Sequence, residues 1–165
     1  VEVAHYAATA VAQISKESDL KLQQLERTFK TDPSAQNLNE YCDFLGEYLC
    51  SGLAEGRVAQ IQRQQYARLL ARRCEREDTL ELRIRYATAL ADVGQIDEAQ
   101  AVTDQLVLDV PEEQEVWMLC LRLAVMRRDG DEVHRVIDAI DKQHVYLSAD
   151  NREKLAFWRD GEEAR

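Results

Sequence analysis

The sequence predicts an all-α fold: a right-handed superhelical solenoid of helical hairpins, closed by a C-terminal capping helix. Three observations carry that prediction. The 165 residues include only two Pro and six Gly, are 45% hydrophobic, and are rich in Ala, Leu, Glu, Gln and Arg, a composition that favours helix over sheet and argues against disorder. Apolar and small residues recur at helical spacing, as in Ile96, Ala99, Val102, Leu106 and Val110. The pattern then returns 34 residues later, where "DEAQAV" is echoed by "DEVHRV". A fixed period with a hairpin in each unit marks stacked repeats, in which neighbours bury one another's apolar faces.

The first unit is placed at about residues 1–32, with "DLKLQQLERTF" (Asp19–Phe29) as its second helix. The second, about 33–77, opens at "TDPSAQNLNEY", with Asp32 as cap and Pro33 in the first helical turn. Pro33 and Pro111 lie 78 residues apart, so this unit carries about ten residues beyond one period, around "SGLAEGRV" (Ser51–Val58). The third, about 78–111, begins with Leu80, Ile84, Ala87 and Leu90, entered through Asp78 with Glu81 three residues on, the spacing of a capping box. Gly94 follows, where a chain reversing in two or three residues needs positive φ. The fourth unit spans about 112–145. "SADNREKLAFW" (Ser148–Trp158) is a single amphipathic cap within 146–160, giving nine helices in one domain over 1–165. Ala87 and Ala99 are expected to face each other across their hairpin.

A shift of 34 carries Ala87 to Leu121, Ala99 to Val133, Val102 to Val136 and Leu106 to Ile140. These residues resemble the tetratricopeptide repeat, most clearly at Gly94, Ala99, Pro111 and Trp117. The resemblance implies a small residue for close helix contact and a Pro that opens the next repeat. Leu121 departs from it, standing where the family has a small residue, and Thr103 stands where it has an aromatic. The departure at Leu121 bears against tight packing of the following unit.

The net charge of −10 disfavours nucleic acid and anionic lipid as partners, since no overall basic face can release counterions. Cys42, Cys50, Cys74 and Cys120 form no C-x-x-C pair and fall within helical patterns, where a thiol acts as a small hydrophobe. All four are expected to be free and mostly buried, with Cys120 beside Trp117, in a reducing compartment such as the cytoplasm. The longest apolar run, "HYAATAVA", is too short to cross a bilayer. The chain opens on Val1 rather than Met, so it is read as a piece cut from a longer protein.

No catalytic constellation is legible, so no catalytic residue, cofactor or metal site is assigned. His5, His134 and His144 lie far apart in sequence, no Ser or Cys sits in a nucleophile elbow, and no glycine-rich loop can cradle phosphate. The cluster "ARLLARRCER" (Ala67–Arg76) reads either as an anion-binding patch or as Arg favoured by the C-terminal macrodipole of a helix. Tyr41, Phe44 and Tyr48 recur at i, i+3 and i+7, a stripe that is either core or a ligand face. In repeats of this kind the first helix of each unit lines a concave groove. The candidate partner-binding set is therefore Glu40, Phe44, Glu47, Tyr48, Ile84, Thr88 and Arg122. The set lacks the Lys/Asn clamp by which family members hold chaperone C-termini.

The opening "VEVAHYAATAV", followed by a charged amphipathic helix and degenerate repeats, is similar to the cytosolic repeat domain of the PelE family, bacterial inner-membrane proteins of the Pel exopolysaccharide machinery. That resemblance implies membrane helices ahead of Val1 and a non-catalytic scaffold role at the cytoplasmic side of the inner membrane. The partner it implies is another Pel component, notably the cyclic-di-GMP receptor PelD. The alternative is a soluble adaptor binding a peptide or chaperone client.

Overall fold

A computed structural model of the chain describes the backbone of residues 2–163 and the side chains of residues 13–159. Among the described residues there are eight α-helices and no strand: α1 (Glu2–Thr31), α2 (Ala35–Cys50), α3 (Gly56–Cys74), α4 (Leu80–Asp92), α5 (Ile96–Asp109), α6 (Gln114–Arg127), α7 (Gly130–Lys142) and α8 (Ala149–Glu163). They fall into two compact units, residues 1–76 and 77–165.

In the first unit, the two helices expected within residues 1–32 are one helix of 30 residues. The segment contains no Gly or Pro, so nothing interrupts its backbone hydrogen bonds. The following cap is Ser34 rather than Asp32, its Oγ accepting from the Asn37 amide at 3.3 Å. Asp32 instead accepts the Asn37 side-chain amide, at its carboxylate (3.0 Å) and its carbonyl (2.8 Å), and Pro33 lies ahead of the first turn. Leu22 and Phe29 of α1 are buried, and the Phe29 ring lies 6.0 Å from that of Tyr41 on α2. Helix α3 also packs on α2. A Cβ on Gly46 would sit 2.8 Å from the Tyr66 hydroxyl, so this helical glycine is what lets the tyrosine lie against α2. The residues beyond one period are in the helices themselves, 16 and 19 residues long, and in the loop from Ser51 to Glu55.

The second unit is regular. Helix α6 starts 34 residues after α4, and α7 starts 34 after α5. Each helix packs on the next, and α4 also packs on α6. Helix α4 ends in a Schellman turn: the Gln95 amide donates to the Leu90 carbonyl (2.9 Å) and the Gly94 amide to the Ala91 carbonyl (3.1 Å), with Gly94 at φ +78°. The same bonds close α6, from Asp129 to Ala124 and from Arg128 to Val125, and α7, from Val145 to Ile140 and from His144 to Asp141. There the left-handed position is held by Arg128 (φ +56°) and His144 (φ +52°) instead of glycine.

Ala87 and Ala99 are both fully buried in one core cluster with Leu90, Leu106, Val116 and Leu123. A second cluster joins Trp117, Cys120 and Leu121 of α6 to Val133, Val136 and Ile140 of α7 and Leu155 of α8. Leu121 is 2% exposed, so its bulk fills this core rather than loosening it. Thr103 satisfies its buried hydroxyl on the Ala99 carbonyl at 2.7 Å. The Trp117 indole donates to the Pro111 carbonyl at 2.7 Å, pinning the turn into α6. The cap of α4 is Thr79, whose Oγ1 accepts from the Leu82 amide. Asp78, expected in that role, lies 3.8 Å from Arg83, and Glu81 pairs with Arg85 rather than closing a capping box. The cysteines also need correction: Cys42 and Cys120 are buried, whereas Cys74 is half-buried and Cys50 exposed, and none of the four is in a disulfide.

Candidate functional site

Of the candidate partner-binding residues, Thr88 and Arg122 come together. They line a cleft of about 380 Å³ whose other walls are Met118 and Val125 of α6 and Lys154 and Trp158 of α8. Helices α4 and α6, which each open a hairpin, and the terminal helix α8 therefore build it. The Thr88 hydroxyl is turned back onto the Ile84 carbonyl at 2.8 Å, which leaves its methyl for the cleft. Arg122 is held by Asp92 at 2.6 Å with both side chains well exposed, and Lys154 is exposed across from it. Glu115 is the one carboxylate among the lining residues. Ile84 is half-buried and packs into the α4–α6 core without lining the cleft.

Glu40, Phe44, Glu47 and Tyr48 belong to the first unit. Glu40 is exposed and accepts from Gln36 at 2.9 Å, and Glu47 is exposed. Phe44 is half-buried, with the Lys21 ammonium 4.4 Å from its ring centre. Tyr48 is only 6% exposed and donates its hydroxyl to Asp19 at 2.5 Å. Tyr41 is 3% exposed. The stripe thus supplies core at Tyr41 and Tyr48 and a surface cation–π contact at Phe44.

Sequence reasoning missed a second cleft, of about 540 Å³, between α1 and α3 and floored by α2. Its three walls are helical stripes. Asp19, Leu22, Gln23 and Glu26 on α1 and Val58, Ile61, Gln62 and Gln65 on α3 each follow i, i+3, i+4, i+7, while Tyr41, Leu45 and Tyr48 on α2 follow i, i+4, i+7. That α3 spacing, with two exposed apolar residues, is the signal that was available in the sequence. Burial first, and then the neighbouring carboxylate, push both tyrosines up to about 12, Glu26 acting on Tyr41 and Asp19 on Tyr48.

The basic cluster is dispersed around α3. Arg73 is buried and bonded to Asp43 at 2.6 Å, and Arg72 stands 5.9 Å above the Phe29 ring. With Arg72 and Arg73 in the last turn, the arrangement matches the macrodipole reading. His134 is exposed and its Nδ1 lies 2.9 Å from the Gly130 carbonyl, His144 closes α7, and the His5 side chain lies outside the described residues. Among the described residues no His, Cys, Asp and Glu side chains gather into a metal-binding group, and no helix is long and apolar enough to cross a membrane. Compared with known proteins, the chain matches no family model, no curated protein and no solved structure.

Proposed function

We propose that the chain is a non-catalytic protein-binding scaffold of the tetratricopeptide type, a right-handed solenoid that docks a partner through the cleft of its second unit. The observation that carries this reading is the composition of that cleft: α4, α6 and the terminal helix α8 supply an apolar floor, with two cations, Arg122 and Lys154, at its rim. Such a surface takes an apolar side chain next to a carboxylate from a partner segment. The sequence likeness at the N-terminus supports placing the scaffold in the Pel machinery at the cytoplasmic side of the bacterial inner membrane, with PelD as partner.

Co-purification and calorimetry with the cytosolic part of PelD test both layers of the proposal. Arg122→Ala and Lys154→Ala should each weaken binding by about 1–3 kcal/mol while circular dichroism shows unchanged helix content. Wild-type affinity in both variants removes the cleft from the interface. Failure of the wild-type domain to bind PelD removes the Pel assignment in favour of an adaptor with a different client.

A further inference from the structure

We infer that the α1–α3 cleft of the first unit is a separate docking site for a basic amphipathic segment of a protein partner, one that presents a ridge of apolar side chains flanked by Lys or Arg. This inference stands apart from the proposed role of the second unit and rests on different residues.

The charge of the cleft carries the argument. Its lining includes three carboxylates, Asp19, Glu26 and Glu55, and no cationic side chain. The residues of the first unit as a whole balance, with ten acidic and ten basic side chains in 1–76, so the acidity belongs to the cleft and not to its surroundings. The three carboxylates are not equally committed. Glu26 meets Lys30 at 2.6 Å and Asp19 takes the Tyr48 hydroxyl, whereas Glu55 caps no backbone amide of α3.

The apolar half of the surface is equally specific. Val58 and Ile61 are 59% and 57% exposed and stand one turn apart on the α3 wall, above buried Leu22 and Leu45. Large exposed aliphatics on a wall that faces a cleft lose water when a ligand enters, which favours binding of apolar side chains. Carboxylates at the rim then select a cationic flank over an acidic one and speed the encounter. A helix or extended strand bearing only apolar residues would leave Glu55 and Asp19 partly desolvated without a partner, and an acidic one would be repelled.

The test uses the whole chain and, as probe, a short amphipathic peptide of leucine and lysine, with a leucine–glutamate peptide as its counterpart. Binding is followed by calorimetry at low and high salt. The lysine peptide should bind and weaken with salt, and the glutamate peptide should not bind. Ile61→Ser and Glu55→Gln change exposed side chains that line the cleft, and each should lower affinity by about three- to tenfold. Asp138→Asn removes the same unit of charge from the second unit and should change affinity by less than about twofold, which excludes attraction to overall acidity. Thermal midpoints check that the variants fold. Equal binding of both peptides, wild-type affinity in the two cleft variants, or a loss produced by Asp138→Asn as large as theirs would each overturn the inference.

Discussion

Residues 1–76 carry ten acidic and ten basic side chains, whereas residues 77–165 carry twenty-one acidic and eleven basic, so the whole net charge of −10 lies in the second unit. The two also differ in how they reach a packed core. The first relies on length: a 30-residue helix, helices of 16 and 19 residues, buried tyrosines and one buried arginine. The second relies on repetition, with short helices of 13 or 14 residues from α4 to α7, whose starts and closing turns recur. Repetition confines each residue's contacts to near neighbours, and a shared period makes one turn serve as the pattern for the next. Length leaves room between α1 and α3 for a cleft.

The sharpest way to break the repeated unit is a charge in its buried core. Ala99→Arg places an unpaired guanidinium at a fully buried position beside Ala87 in the same core, and should cost more than about 3 kcal/mol. The midpoint of thermal unfolding measures it, and an unchanged midpoint would disprove the packing of α4 on α5. In the first unit, Leu45→Ala removes a side chain that is 1% exposed and should cost about 2–5 kcal/mol through lost burial and the cavity left behind.

Alkaline titration separates the units by chemistry. Tyr41 and Tyr48 are raised from 10.0 to about 12, so between those pH values the unfolded chain loses protons that the folded one keeps. Stability from these groups is therefore full below about pH 10 and is lost as pH rises toward 12. Ultraviolet absorbance should show Tyr41 and Tyr48 ionising late, and Tyr48→Phe should remove part of that late change. Cys120, pushed up to about 12 chiefly by burial, should stay unreactive to alkylating reagents in the folded protein while exposed Cys50 reacts.

The closing turns of the second unit give a smaller and signed effect. Arg128 and His144 adopt φ values that cost a side-chain-bearing residue about 1 kcal/mol, whereas Gly94 adopts its value freely. Arg128→Gly and His144→Gly should each stabilise by up to about 1 kcal/mol, and Gly94→Ala should destabilise by a similar amount. No atom lies within 4 Å of a Cβ built on Gly94, so the whole of that loss would come from the backbone. Opposite signs in chemical denaturation would show that the turn geometry assigned to α6 and α7 is wrong.

That turn also shows what a sequence can disclose. Gly94, Ala99 and Pro111 mark their roles because the residue type is the cause: a missing Cβ, a small contact, a fixed φ. Arg128 and His144 hold the same turn as Gly94 through backbone bonds alone, so nothing in their side chains announces it. The caps slipped for a related reason. Asp32 and Asp78 are good capping residues, but Ser34 and Thr79 lie one or two positions on, and the residue that caps is decided by where the first turn closes. The single helix α1 was obscured by expecting a pair where the sequence has no breaker. The second cleft depends on the extra length of α3 and on the gap between two helices, a tertiary property that the Val58–Gln65 stripe only hints at.

The smallest effect contrasts two ion pairs with one spacing. Arg73 and Asp43 in the first unit, and Arg127 and Asp97 in the second, each join residues 30 apart, at 2.6 and 2.8 Å. Their surroundings differ: the side chains of Arg73 and Asp43 are 9% and 48% exposed, those of Arg127 and Asp97 38% and 98%. Burial alone would lower the Arg73 guanidinium, but its hydrogen bonds to Asp43 and Cys42 outweigh that and raise it, so the guanidinium stays charged. Double-mutant cycles with Ala should give a coupling of about 1 kcal/mol for Arg73–Asp43 that falls only in part with added salt, because the guanidinium is sheltered while the carboxylate is half in water. For Arg127–Asp97 the coupling should be below about 0.5 kcal/mol and vanish in salt, since a carboxylate almost fully in water loses little when its partner goes. Equal couplings would mean that distance, not shelter, sets the strength of these pairs, and the contrast between a unit with a buried cation and one with surface charge would lose its energetic meaning.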